Sequence, residues 1–169
     1  EEVIKHKSEK TLIIYDAERQ RPSLGAMMNH ADFFIASETI LDLEPSKGRW
    51  KVFEDLRSRI RGEFMITFGE LGSVWMHKGE YLHIPAWMGV KTVDTTGAGD
   101  VFHAAFAFFY LQDGEILAAM KKASFCSARS TENLGNRNPV ALTHGLSKSL
   151  DELKESKISQ SKFQSMMKD

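Results

Sequence analysis

The 169-residue chain has a single cysteine, Cys126, so no internal disulfide framework holds it together. That scarcity predicts a reducing, cytoplasmic setting. An excess of one charge is also missing: 22 Lys and Arg stand against 23 Asp and Glu, a formal net charge of -1. Such a balance predicts neither a nucleic-acid surface nor a membrane-binding face. Long apolar runs are absent. The longest, 101–111, is interrupted by His103, whereas a membrane helix needs roughly 18 apolar residues. Residues 1–10 are polar and charged, without the apolar centre of a secretory signal. Prolines number four, and no repeat, low-complexity stretch or clear linker divides the chain. The six histidines show no paired metal-ligand spacing.

What is present is an ordinary globular balance, 42% hydrophobic and 27% charged, in a length suited to one domain. Residues 11–15, 32–36 and 64–68 read as short buried strands. Residues 73–77 and 81–84 flank Lys78-Gly79-Glu80 as a hairpin. Helices are predicted over 23–29, from Glu38 with Ser37 as its cap, and over 47–61, where Trp50, Phe53, Leu56 and Ile60 recur at helical spacing. A loop over 85–96 leads into a helix over 98–111 with Phe102, Ala105, Phe106 and Phe109 on one stripe. Asp113-Gly114 breaks it, and a second helix turns Ile116, Leu117, Met120, Ala123, Ser124 and Ser127 inward. A turn-rich loop over 131–139 and a helix over 146–157 complete the domain, 1–157. Residues 158–169 read as a polar, frayed tail. Strands alternating with helices predict an α/β layered fold whose central sheet is mostly parallel and flanked by helices.

One heptapeptide carries the chemistry: Asp94-Thr95-Thr96-Gly97-Ala98-Gly99-Asp100, where a loop becomes a helix. Gly97 and Gly99 allow unusual backbone angles and close approach of a ligand. The first helical turn offers N–H groups without internal partners, and with the helix dipole these favour a phosphate. A carboxylate at Asp100 would repel that phosphate, but it makes sense facing an attacking hydroxyl whose proton it accepts. Glycine before a helix and aspartate in a first turn are also common without any function. The string Asp-x-Thr-Gly-Ala-Gly-Asp, however, arises by chance only about once in ten million positions at average residue usage.

Asp94 to Asp100 resembles the second signature motif of the PfkB, or ribokinase-type, carbohydrate kinases, and the helix after it continues in that family's manner. The resemblance implies a ribokinase-like fold and ATP-dependent phosphorylation of a hydroxyl on a sugar or nucleoside. It implies Asp100 as the catalytic base and the amides of Gly97, Ala98 and Gly99 as the anion hole. Thr67-Phe68-Gly69-Glu70-Leu71-Gly72 is bottom-up a tight turn after a strand. In the family, Thr67, Gly69 and Gly72 would lie along the ATP phosphates and ribose. Asp94 reads as a turn cap. In potassium-activated members the residues matching Asp94 and Thr96 hold the cation, and Ser130 with the loop 131–136, including Gly135, would add carbonyls. Ser37-Glu38 stands where the family often has Asn-x-x-Glu; the second carboxylate is absent, and Glu38 serves either magnesium or its own helix terminus. That Ser and the charged stretch 16–22 are similar to the ketohexokinase-like branch.

The resemblance spans about residues 11–142 and matches only the C-terminal portion of a typical member. The N-terminal part and the lid, through which such kinases often dimerise, have no counterpart here. A nucleotide-binding fragment without activity is therefore a competing expectation. A dinucleotide-binding oxidoreductase is another, but Phe102 occupies the place of the third glycine of Gly-x-Gly-x-x-Gly. His103, Cys126, Trp50, Trp75 and Trp87 read as packing or surface residues.

Overall fold

Short β-branched and aromatic runs, separated by stretches with apolar residues at helical spacing, give alternating strands and helices. In the computed structural model, which describes residues 2–135 and 145–167, these are α1 (Glu2–Lys5), β1 (Ile14–Ala17), α2 (Leu24–His30), β2 (Phe33–Ser37), α3 (Arg49–Arg59), β3 (Glu63–Thr67), β4 (Ser73–His77) and β5 (Glu80–Ile84). They are followed by α4 (Ala98–Asp113), α5 (Ile116–Ser130), α6 (Leu146–Ser149), β6 (Ser156–Ile158) and α7 (Gln160–Met166). Short 3-10 turns stand at Glu38–Asp42, Pro45–Lys47 and Gly69–Leu71. The six strands form one sheet in the order β1-β2-β3-β4-β5-β6. β1 pairs with β2, and β2 with β3, in parallel, with Phe34 opposite both Tyr15 and Phe64. β2 is buried along most of its length, as expected of a parallel strand covered on both faces.

Contacts divide the chain into two compact units. The first comprises 1–68, 74–82 and 157–169; the second comprises 69–73 and 83–156. The core of the first unit is aromatic. Phe34, Phe53, Phe64, Phe68 and Phe163 are all buried, with Trp50 and Tyr81 packed against them. Phe53 meets Phe163 at 5.0 Å and Phe64 at 5.9 Å between ring centroids, in edge-on and stacked geometries respectively. In the second unit α4 and α5 pack on each other. Phe102, Phe106 and Phe109 come from α4, and Ala119, Met120, Ala123, Phe125 and Cys126 from α5. Trp87 covers Phe125 at 5.6 Å, which makes it a packing residue as expected.

Besides one-residue shifts of β2 and β3, and a 3-10 turn over Glu38–Asp42 in place of the helix expected from Glu38, two regions differ from the sequence expectation. β1 begins at Ile14 rather than at residue 11, because Asp32 intervenes. Its carboxylate accepts the Ile13 N–H at 2.8 Å, while the Ile13 carbonyl accepts the N–H groups of Asp32 and Phe33. Leu12 is left 42% exposed. The end of the chain differs more. The helix expected over 146–157 is the single turn α6, and the expected polar tail is an ordered strand and helix. Ser159 caps α7 by accepting the Lys162 N–H at 3.2 Å. Phe163, Met166 and Met167 are buried. These three apolar residues sit at i, i+3 and i+4 among Ser, Lys and Gln, so one narrow stripe is hidden in a polar composition. Among the described residues no helix is long and apolar enough to cross a membrane.

Phe163→Ala is expected to cost about 3–5 kcal/mol, because the ring is fully enclosed and its removal leaves a cavity in the core. Urea unfolding followed by tryptophan fluorescence measures it. Asp32 supplies a pH signature. Burial pushes its carboxyl up, but the Lys7 ammonium, bonded at 2.8 Å, and the Ile13 N–H together hold it below its ordinary value of 3.8. A carboxyl lowered by folding adds stability above its unfolded pKa and loses it as pH falls through the folded value. The urea midpoint of the wild-type chain should therefore exceed that of Asp32→Asn at neutral pH, and the gap should close in acid below about that 3.8.

Candidate active site

The loop before α4 enters the helix through Gly97, whose φ of 75° and ψ of 6° are left-handed. A Cβ is strained in that region, so the bend needs glycine. Behind the bend the loop is fastened by Asp94. Its Oδ1 accepts the Thr96 N–H at 2.9 Å, and its Oδ2 accepts the Gly135 N–H at 2.9 Å. The N–H groups of Val93 and Asp94 in turn donate to the Thr131 carbonyl at 2.7 and 3.0 Å. The loop entering α4 and the loop leaving α5 are thus tied together. The Thr96 and Gly135 N–H groups, in that order, hold the Asp94 carboxyl below the usual carboxylate range.

Within the first turn, the Ala98 N–H donates to the Thr95 carbonyl at 3.1 Å and the Val101 N–H to the Gly97 carbonyl at 3.0 Å. Between them, the N–H groups of Gly99 and Asp100 have no acceptor among the described residues. The donors left open by the bend are therefore those of Gly99 and Asp100, whereas the Ala98 amide, expected among the anion-binding donors, is engaged by the turn that Gly97 closes. Gly99 is exposed, and a Cβ there would meet nothing within 4 Å. The Asp100 side chain is exposed and makes no ion pair or hydrogen bond among the described residues.

Two residues that sequence reasoning did not promote brace this turn. Ser127 of α5 donates its hydroxyl to the Ala98 carbonyl at 2.8 Å. His103 donates from Nδ1 to the Gly99 carbonyl at 2.8 Å. The spacing of four between Gly99 and His103 was a readable signal; nothing in the sequence marked Ser127 beyond its place on the inner face. Ser130 donates to the Ser127 carbonyl at 2.7 Å, which spends its hydroxyl proton at the end of α5. Asn136, in the loop expected to supply carbonyls, lies outside the described residues.

Gly69 and Gly72 belong to the same unit as α4, whereas Thr67 closes β3 in the other. The Gly72 N–H donates to the Gly69 carbonyl at 3.0 Å. At Gly72 φ is 91°, and a Cβ would meet the Ile84 carbonyl oxygen at 2.1 Å. That glycine is required by a close backbone crossing. Gly69 is open, with nothing within 4 Å of its missing Cβ. Thr67 donates its hydroxyl to the Ala36 carbonyl at 3.4 Å. Glu38 lies in the first unit and faces Arg49 at 3.4 Å, whose guanidinium also grips Asp42 through two bonds of 2.7 Å. Ser37 accepts the Thr39 N–H as the cap of this turn at 3.4 Å. Among the described residues no group of three or more His, Cys, Asp or Glu could hold a metal ion. Burial pushes the Cys126 thiol up to about 11, so it is no nucleophile at neutral pH.

The deoxyribokinase of Salmonella typhi is 35% identical over 114 residues, covering 63% of this chain and 37% of that enzyme. The crystal structure of ribokinase from Thermotoga maritima superposes with a TM-score of 0.65 at 20% identity, covering 99% of this chain and 52% of that one. Aminoimidazole riboside kinase from Salmonella enterica, complexed with aminoimidazole riboside and an ATP analog, superposes with a TM-score of 0.64 at 21% identity, covering 79% and 52%. The chain therefore spans 37% of that deoxyribokinase and about half of the solved kinases, whose α/β fold it shares. The model of the pfkB family carbohydrate kinases matches residues 2–142, and the chain belongs to that family.

Proposed function

We propose that this chain carries the phosphate-handling part of an ATP-dependent kinase whose acceptor is a hydroxyl of a sugar or nucleoside. One observation carries the reading: two open N–H groups and an exposed, unpaired carboxylate share the first turn of the 16-residue α4. The N–H groups of Gly99 and Asp100, at the positive end of the helix, bear the charge that develops on the transferring phosphoryl group. The Asp100 carboxylate accepts the proton of the acceptor hydroxyl as the new O–P bond forms and the bond to ADP breaks. Ser127 and His103 keep the donors aimed by holding the carbonyls of the same turn. Asp94 clasps the loop, so the bend is in place before the nucleotide arrives. The open Gly69 lies along the nucleotide phosphates in this reading.

A divalent ion neutralises phosphate charge in this chemistry. The residues present fit magnesium only as an ion that arrives on the nucleotide and keeps much of its water, because Glu38 is paired with Arg49 and no protein cage exists among the described residues. The Asp94 carboxylate already takes the N–H groups of Thr96 and Gly135 and the Thr96 side chain, so a potassium ion would be a further partner of the clasp rather than its organiser. The acceptor class is supported by the relatives, one a deoxyribokinase and another holding aminoimidazole riboside. A nucleotide-binding fragment without turnover is the second reading, favoured by the partial coverage of those relatives.

Thermal unfolding separates the readings. ATP with magnesium should raise the melting temperature, and NAD should not. Asp100→Asn should keep that shift and lower turnover on ribose, deoxyribose or a nucleoside by about 10²–10⁴-fold. An ATP shift with no turnover by the unaltered chain would leave a binding module only. Asp94→Ala releases two N–H groups of the clasp and should shrink the ATP shift itself, with the chain still folded by circular dichroism.

A further inference from the structure

A second charged cleft lies within the first unit, at the amino ends of β2 and β3. Thr67, by contrast, closes β3 at its carboxyl end. The cleft is an open cavity of about 580 Å³. Lys7, His30, Arg57, Arg61, His77 and Lys78 line it, against only two carboxylates, Asp32 and Glu63. Both carboxylates are already engaged. Asp32 takes Lys7 and the Ile13 N–H. Glu63 accepts the Trp75 Nε1–H at 2.6 Å and lies 3.7 Å from His77 Nδ1. Arg57, Arg61 and Lys78 have no carboxylate partner among the described residues. Three cations are therefore left facing one concavity on a chain whose overall charge is near zero.

The floor of the cleft is tied by backbone hydrogen bonds. The Arg61 N–H donates to the Met28 carbonyl at 3.0 Å, and the Glu63 N–H to the Asp32 carbonyl at 2.9 Å. Between them, a Cβ on Gly62 would meet the Ala31 carbonyl oxygen at 2.3 Å, so the backbones of the two segments are in contact. Arg61 is thereby fixed at its backbone on one wall, Arg57 projects from the last turn of α3, and Lys78 stands on the turn between β4 and β5. Like charges held together without counterions repel one another, and a multivalent anion relieves that cost. Two guanidinium forks and an ammonium match the oxygens of a phosphate chain better than a single carboxylate.

We propose that this cleft binds a small anion carrying more than one phosphate group, independently of the glycine bend at α4. The test is a titration of the ¹⁵N-labelled chain with inorganic tripolyphosphate, followed by amide shifts in NMR. Saturable shifts at Arg61, Gly62, Glu63, His77 and Lys78 are expected. Arg57→Gln and Arg61→Gln should each weaken that saturation at least about tenfold, and Lys162→Gln, outside the cleft, should leave it unchanged. Shifts confined to residues 97–100, or a loss equal for Lys162→Gln, would overturn the proposal. If both arginine variants unfold, Lys78→Gln on the exposed turn gives the same reading.

Discussion

The candidate site depends on one carboxylate accepting two backbone N–H groups. Asp94 joins the loop that enters α4 to the loop that leaves α5, and both bonds are 2.9 Å. Without it, Thr96 and Gly135 would each lose a charge-assisted partner, and the left-handed bend at Gly97 would have to hold itself. The bend matters because it decides which amides face outward. A turn closed between Thr95 and Ala98 spends one donor and exposes the next two. Open donors of this kind are a by-product of satisfying the backbone first.

The same economy appears around the helix. Ser127 and His103 use their hydrogen bonds on carbonyls of the first turn, at Ala98 and Gly99. They touch no substrate in the proposed reaction, yet they fix the direction of the peptide planes on which it relies. Gly72 shows that a motif residue can have a purely steric duty. Its missing side chain makes room for the Ile84 carbonyl, so its presence beside Gly69 needs no ligand to explain it. Glu38 is similar: the Arg49 guanidinium ties it and Asp42 to the start of α3, which is a structural use of a carboxylate that the sequence left between magnesium and its own helix terminus.

Much of the fold was legible. The runs ending near Tyr15, Ala36 and Phe68 became parallel strands, displaced by one to three residues, and the hairpin around Lys78 and Gly79 formed where its turn residues stand. The stripe Phe102, Phe106, Phe109 predicted the buried face of α4 directly. The chain terminus was not legible. Its Ser, Lys and Gln content suggested a frayed tail, and only the enclosure of Phe163 by Trp50, Phe53, Phe68 and Tyr81 makes it a core helix. Those partners are about a hundred residues away in sequence, and no local pattern could name them.

The sequence by itself determined the chemistry on offer: a glycine bend, a helix start and an aspartate in one heptapeptide, because spacing along a single turn is a local property. Tertiary structure alone decided which of those groups are free. Whether the Ala98 amide is engaged, whether Gly135 reaches Asp94 and whether Ser127 meets Ala98 all depend on how α5 lies against α4. Hydrogen-bond partners drawn from separate segments are set by packing, and packing is the one quantity that residue order does not display.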